Sequence, residues 1–291
     1  MSPLKILALV GLVATLSPVV AKANPISIVA AENFYGDVAR QIGGADVAVT
    51  SILSNPDQDP HLFEADPSTA RILKTARIVI SNGIDYDPWM ETLLKADAGN
   101  GRRQIVVADL LGRKAGDNPH LWYDPATMST LAKTLAIDLG EADPGRKAAF
   151  GAAVATFDAS LKPLGAKIAA MKAKYAGVAV TASEPVFGYM AGALGLDMHN
   201  KGFQLAVMNG TEPSASDVAA FEDDLKGRKV KVMIYNSQAD DQAVKRLVEI
   251  AKASKVPVVG VTETEPAGKT YQAWMLGQLD ALDHALAGSG P

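Results

Sequence analysis

The chain has 291 residues, a formal net charge of −4 and no cysteine, and 48% of its residues are hydrophobic. Because cysteine is absent, disulfides, thiolate metal ligands, catalytic thiols and a lipid-bearing cysteine are not expected. Nucleic acid is not expected as a partner either, since proteins that bind polyanions usually carry an excess or a stripe of basic residues. The hydrophobic content is enough for one large or two smaller domains.

Residues 1–23 have the composition of a secretory signal peptide. A short basic start is followed by a 15-residue apolar run over 6–20 and by the small-x-small site Ala21-Lys22-Ala23. The run is shorter than the ~20 apolar residues that a membrane-spanning helix needs. We predict cleavage near Ala23, a periplasmic location and no membrane span. The mature chain then carries 26 basic and 32 acidic residues, a net charge near −6 that is compatible with small cations.

The first part of the mature chain alternates short apolar runs with segments of helical periodicity. Strands are predicted over 26–31, 47–53, 78–81 and 105–108, and helices over 34–42, 67–76 and 89–95. Apolar runs of this kind are typical of buried parallel strands, and the helices between them supply the crossovers. We therefore predict an N-terminal α/β lobe over residues 24–142.

Residues 143–175 break this alternation and have apolar positions at helical spacing. A helix of this length spans roughly 45 Å, enough to bridge two lobes. Pro163 lacks a backbone donor and is predicted to kink this helix or to divide it after Lys162.

The alternation returns in a C-terminal α/β lobe predicted over residues 176–291. Its strands are predicted over 178–182, 230–235 and 257–261, and its helices over 186–194, 214–226, 238–253 and 270–287. The predicted fold class is α/β, with two lobes that are each a mostly parallel sheet flanked by helices, joined by a long backbone helix. Since such sheets bind ligands at the carboxyl ends of their strands, a cleft between the lobes is the expected site, with limited hinge motion.

Two loops share the pattern Pro-His-Leu-aromatic and hold two of the four histidines, His61 and His120. Proline fixes its own φ and biases the preceding residue toward extended structure, so each imidazole leaves a stiff loop in a defined direction. A lone loop histidine is usually solvated, but the repeated frame favours a metal site with both imidazoles as ligands. The following aromatics, Phe63 and Trp122, either shield this site from water or belong to the core.

Two glutamates follow predicted strands of the second lobe. Glu184 precedes Pro185, and Glu263 lies after the strand predicted over 257–261. Buried carboxylates need a cation or hydrogen bonds, which makes metal ligation credible. The alternative role for Glu184 is to cap a helix or to form a salt bridge. Glu265, two residues from Glu263, is the alternative metal ligand at that position.

Other polar residues have weaker predictions. Tyr189, Asn236 and Gln238 are candidates for orienting the ligands. His199 is expected to be solvated in a polar loop, with a gating or auxiliary metal role as the alternative, and His284 to face outward from the final helix.

Four motifs occur in the order DPHLFEADPS, NPHLWYDP, SEPVFGYM and VGVTETEPAGKTY, with the predicted long helix between the second and the third. Together they resemble the metal-binding receptors of bacterial ABC importers, the zinc/manganese solute-binding proteins. This resemblance covers the mature chain and implies a metal held between two lobes by two histidines, a third His or Glu, and a terminal Asp or Glu. By motif these positions are His61, His120, Glu184 and Glu263. The resemblance also implies an inner-membrane ABC permease as partner, and we expect a monomer.

The chain departs from zinc-type relatives because it has no His-rich loop and has Glu184 where they usually have histidine. Two imidazoles and two carboxylates form an oxygen-rich set that favours Mn²⁺ or Fe²⁺ if both carboxylates bind bidentately. Zn²⁺ stays an alternative, because it binds more tightly than Mn²⁺ at most such sites. We predict one divalent transition metal as cargo, with Mn²⁺ favoured over Zn²⁺ and Fe²⁺ behind both.

An exported metallohydrolase using the same residues is the competing function. It would need an open coordination position and a general base. The absence of a His-Glu-x-x-His segment and of a dinuclear histidine cluster in the sequence argues against it. A structural or adhesive protein would show repeats, and the sequence has none. The predicted function is therefore a periplasmic binding protein, not an enzyme, that delivers metal to an ABC importer.

Overall fold

The structure is a computed structural model that describes residues 24–56, 60–97, 101–239 and 242–288, without the side chain of His61. The predicted signal peptide and its cleavage site lie outside the described residues. Within these ranges, none of the helices combines the length and the apolar character needed to cross a membrane.

The first lobe is built on a four-stranded parallel sheet with the order β2-β1-β3-β4. Its strands are β1 (Ile26–Glu32), β2 (Val47–Leu53), β3 (Ile78–Ser81) and β4 (Arg103–Val106). Its helices are α1 (Asn33–Gly43), α2 (Pro67–Lys74), α3 (Pro88–Ala96), α4 (Val107–Leu110) and α5 (Thr127–Ala142). All four residues of β3 are buried, which is consistent with the three consecutive apolar residues Ile78, Val79 and Ile80 in this strand.

The fourth strand starts and ends two residues before its predicted position. Val107 and Ala108 are buried, but they open α4 instead of continuing β4. The Ala108 N–H donates to the carbonyl of Asn82. A short apolar run fits a buried strand and a buried helical turn equally well, so the sequence pattern did not separate the two.

Two consecutive helices connect the lobes, α6 (Lys147–Ser160) and α7 (Lys162–Tyr175), after a 3₁₀ turn over Pro144–Arg146. The interruption falls at Leu161, one residue before the predicted division. Pro163 has no N–H to donate to the preceding turn, yet the Leu161 and Gly165 amides on either side keep helical hydrogen bonds. The connection is therefore a bent helix.

The second lobe repeats the topology of the first, with the parallel order β6-β5-β7-β8. Its strands are β5 (Ala179–Ala182), β6 (Asp197–His199), β7 (Met233–Asn236) and β8 (Val258–Val261). Its helices are α8 (Gly188–Ala193), α9 (Lys201–Met208), α10 (Ala215–Lys226), α11 (Gln242–Ala253) and α12 (Tyr271–Leu286). The sequence did not predict β6 or α9, because β6 is a three-residue edge strand too short to show a period.

The two lobes share one apolar core at their junction. The ring of Phe34 lies 4.5 Å from that of Trp122 and 5.9 Å from that of Trp274, measured between centroids. All three side chains are buried, and Trp274 belongs to α12 of the second lobe. Separating the lobes widely would expose these rings to water, so the shared core supports the expectation of limited hinge motion.

The predicted fold class is confirmed, with two parallel sheets flanked by helices and a bent helical connection. The lobe boundaries after residues 142 and 175 stay predictions. In both sheets the strand order reverses beside the first strand, which is where open α/β sheets place their ligands.

Candidate metal centre

Glu184 and Glu263 leave neighbouring parts of the second sheet at its carboxyl edge. Glu184 lies two residues after β5, and the proline that follows it favours the extended backbone observed there, with φ −145° and ψ 161°. Glu263 lies two residues after β8. Both are buried, with exposed fractions of 5% and 0%. Burying two carboxylates so close to one strand edge requires compensation by donors or by a cation.

Asn236, the last residue of β7, lies between these two carboxylates. Its side-chain Nδ2 is 2.6 Å from Oε1 of Glu263 and 3.4 Å from Oε2 of Glu184. The amide therefore ties the two glutamates to each other. Gln238 holds the backbone of Glu263 in place, because its Oε1 accepts the N–H groups of Glu263 and Thr264.

His120 comes from the first lobe and meets Glu263 across the cleft. Its Nε2 lies 3.3 Å from Oε2 of Glu263, and both side chains are fully buried. On the other side of the ring, Nδ1 lies 2.7 Å from Oδ1 of Asn118. The Asn118 Nδ2 donates to the carbonyl of Pro185 at 2.7 Å, which fixes the orientation of the amide. Nδ1 must then carry the proton in the neutral imidazole, and Nε2 presents its lone pair toward Glu263, as a metal ligand requires.

Asn82 holds the backbone just before His120. It is fully buried, donates from Nδ2 to the carbonyl of Pro119 at 2.9 Å, and accepts the Tyr35 hydroxyl at 2.6 Å. Sequence reasoning missed both Asn82 and Asn118. Asn118 had a detectable signal, because an Asn two residues before an imidazole typically hydrogen-bonds to the backbone ahead of it. Asn82 had none, since its partners are distant in sequence.

The side chain of His61 is outside the described part of the structure, but its backbone lies in a 3₁₀ turn over Pro60–Leu62. The loop that leads to it is tied to the second lobe, where the Gln238 Nε2 donates to the carbonyl of Pro56 at 2.7 Å. Gln238 therefore links the segment that precedes His61 to the backbone of Glu263. Among the described side chains, no group of three or more His, Asp or Glu residues is arranged to hold a metal ion.

Glu265 occupies a different environment from Glu263. It lines a cavity with Asn33, Asp37 and Arg40, and its backbone exchanges two hydrogen bonds with the Asn33 amide, at 2.7 and 3.0 Å. Burial, followed by the charge of Asp37, raises the pKa of Glu265 to about 8. The structure thus places Glu263, and not Glu265, against His120.

Tyr86 adds a hydroxyl to the same buried region. It is 3% exposed, and its ring centroid lies 6.0 Å from that of His120. Burial raises the pKa of Tyr86 well above its ordinary value, and the charge of the neighbouring Glu263, to which it hydrogen-bonds, adds to this effect. Tyr86 therefore stays a neutral donor beside the carboxylate at physiological pH.

Two of the other predicted residues lie beside His120. Tyr189 donates to the carbonyl of Asn118 at 2.8 Å, and Trp122 is fully buried with its ring 5.3 Å from that of His120.

The two remaining histidines lie on α12 and at the end of β6. His284 is exposed on α12, as predicted. The prediction that His199 lies solvated in a loop is wrong. It ends β6, and its Nδ1 lies 2.9 Å from Oδ2 of Asp224, because the short strand orients the ring toward α10.

Comparison with known proteins decides the family. A family model described as zinc-uptake complex component A, periplasmic (ZnuA), matches residues 28–285. The chain belongs to this family. The resemblance read from the four motifs is thereby confirmed, and the chain is a substrate-binding protein and not an enzyme.

Several known proteins match this chain over nearly its full length. The metal ABC transporter substrate-binding lipoprotein SloC of Streptococcus mutans is 24% identical, over 97% of this chain and 96% of its own. The manganese-binding lipoprotein MntA of Bacillus subtilis is 25% identical, over 90% of each. The periplasmic zinc-binding protein TroA of Treponema pallidum has the same fold, with a TM-score of 0.76 at 20% identity, over 91% of this chain and 99% of its own.

Proposed function

We propose that this ZnuA-family protein captures one divalent transition metal, Mn²⁺ or Zn²⁺, in the periplasm and delivers it to an inner-membrane ABC permease. We assign the metal to His61, His120, Glu184 and Glu263. The observation that carries this proposal is the contact between His120 Nε2 and Glu263 Oε2, which joins a buried imidazole of one lobe to a buried carboxylate of the other.

Three features support the assignment of this set. The His120 ring presents its lone pair to the cleft because Asn118 takes its other nitrogen. Glu184 and Glu263 are held by one amide, so they belong to one site. Gln238 bonds both to the carbonyl of Pro56, which precedes His61 in the chain, and to the backbone N–H of Glu263. The segment before His61 is thereby held near the carboxyl edge of the second sheet. Two imidazoles and two carboxylates form a donor set that suits Mn²⁺, Fe²⁺ and Zn²⁺.

The ligand assignment is tested by replacing His61 or Glu184 with alanine and measuring Mn²⁺ and Zn²⁺ affinity by calorimetry at neutral pH. We expect each variant to lose at least tenfold in affinity for both metals, because one donor is removed. His284→Ala is the matched control, since this histidine is exposed on α12. Unchanged affinity in His61→Ala and Glu184→Ala would refute the assignment.

Delivery is tested in cells of the source organism that lack the gene. Accumulation of radiolabelled Mn²⁺ or Zn²⁺ under metal limitation should fall, and a plasmid carrying the wild-type gene should restore it. A His120→Ala gene should not restore uptake. Elemental analysis of the protein isolated from its native compartment identifies the cargo.

A further inference from the structure

We propose that Asn236 is a metal-specificity residue, whose amide restrains Glu184 and Glu263 to one metal-binding oxygen each and so favours Zn²⁺ over Mn²⁺. This inference rests on the proposed function. The ligand types alone favour Mn²⁺, but only if both carboxylates bind bidentately. Asn236 reverses this preference by opposing bidentate binding.

The amide has one available orientation. Its Oδ1 accepts the Gln238 backbone N–H at 3.0 Å, so Nδ2 must face the two carboxylates. The backbone N–H of Asn236 is tied in turn to the Ser183 hydroxyl at 3.2 Å, next to Glu184. Asn236 is 1% exposed, so water does not readily replace these partners. The side chain is therefore a fixed double donor and not a mobile surface amide.

Each carboxylate has one oxygen in contact with this donor. Oε1 of Glu263 accepts at 2.6 Å, and Oε2 of Glu184 accepts at the longer distance of 3.4 Å. A chelating carboxylate gives both of its oxygens to one metal. The amide fixes the orientation of each carboxylate and draws electron density from the oxygen that it contacts, so this oxygen is the weaker donor for a metal. Turning it away from the amide would leave a buried donor without its acceptor, which costs about 1–3 kcal/mol.

The consequence for metal choice follows from coordination number. Two imidazoles and two single carboxylate oxygens make four ligands, the number that Zn²⁺ takes in nearly all structural protein sites. Mn²⁺ is better served by a larger set of oxygen ligands and gains more from chelating carboxylates. Asn236 thus adds to the general advantage of Zn²⁺ over Mn²⁺ at nitrogen and oxygen sites.

The test compares the wild type with Asn236→Ala and with Asn33→Ala, a control that removes an inter-lobe asparagine bound to Glu265 and leaves the two carboxylates untouched. Affinities for Mn²⁺ and Zn²⁺ are measured by competition with a chelator of known constants. We expect the preference for Zn²⁺ over Mn²⁺ to fall at least tenfold in Asn236→Ala and to stay within twofold in Asn33→Ala. An unchanged preference in Asn236→Ala would overturn the inference.

X-ray absorption spectroscopy of the metal-loaded wild type gives a second readout that does not depend on how the variant folds. We expect four nitrogen or oxygen ligands around Zn²⁺ and no chelating carboxylate. Five or six ligands with a chelating carboxylate would overturn the role of Asn236 while leaving the proposed function intact. A wild type that binds neither metal would refute the proposed function itself.

Discussion

Replacing Glu263 with glutamine isolates the charge of the proposed ligand from its shape. The variant keeps an oxygen to accept the Asn236 amide, which lies 2.6 Å from Oε1 in the wild type. Its new amide group faces His120 Nε2 and can donate to it, whereas a carboxylate cannot. We therefore expect the metal-free variant to unfold at a temperature no lower than that of the wild type, because a buried charge has been removed.

Metal binding should suffer strongly in the same variant. A divalent cation and a carboxylate about 4 Å apart attract each other by roughly 8 kcal/mol at an effective dielectric constant of about 20. Most of this is offset by the cost of removing both charges from water, and we expect a net loss of about 2.7 kcal/mol, or ~100-fold in affinity.

The assay is thermal unfolding with and without metal. At a metal concentration ~100 times its dissociation constant, the wild type gains about 2.7 kcal/mol of unfolding free energy. For a chain of this size that raises the melting temperature by roughly 5–10 °C. The Glu263→Gln variant at the same metal concentration should gain only about 0.4 kcal/mol, or ~1 °C.

Glu265→Gln is the positional control, because it makes the same substitution two residues away in a side chain that lines a cavity with Asn33 and Asp37. With its pKa raised to about 8, this carboxyl is mostly uncharged at neutral pH, so the control tests the position and not the charge. It should keep the full metal-induced rise in melting temperature. If Glu265→Gln loses this rise and Glu263→Gln keeps it, the assignment of Glu263 is wrong and Glu265 takes its place.

Three further predictions concern the pH dependence of metal binding, the positioning of His120 by Asn82, and the charge of Asp283. Metal affinity should fall as the pH is lowered from 7 to 5, because protons compete with the metal for the imidazoles, and a flat competition titration over this range would exclude histidine ligation. Asn82→Ala should lower the unfolding free energy in urea by about 2 kcal/mol and metal affinity at least tenfold, since it leaves buried partners unsatisfied before His120, whereas full affinity would show that Asn82 does not position the ring. Asp283 has its pKa lowered to about 2 by Lys167 and Tyr175, so its stabilisation is present above pH ~4 and is lost as the pH falls toward 2. Asp283→Asn should therefore cost ~1 kcal/mol at pH 7, after allowing for solvent screening, with a smaller difference in melting temperature at pH 3, and an equal cost at both pH values would contradict the linkage.

The sequence by itself determined the chain of α/β units, because buried parallel strands need continuous apolar runs and their crossovers need helical periodicity. Strands β2 and β3 have their predicted bounds. It also determined the four motifs that identified the family. Proline placed the bend of the connecting helix to within one residue, since its missing donor acts locally. These features depend on residues close together in the chain.

Only the tertiary structure decided which groups meet. The contact between His120 and Glu263 joins residues 143 positions apart across two lobes, and no local pattern encodes such a distance. The same holds for Asn82, whose amide reaches Pro119, and for Asn236, whose amide lies between two strand ends. The sequence supplied ligand types that favour manganese if they chelate. Whether the carboxylates chelate also depends on Asn236, because its hydrogen bonds fix the orientation of both side chains.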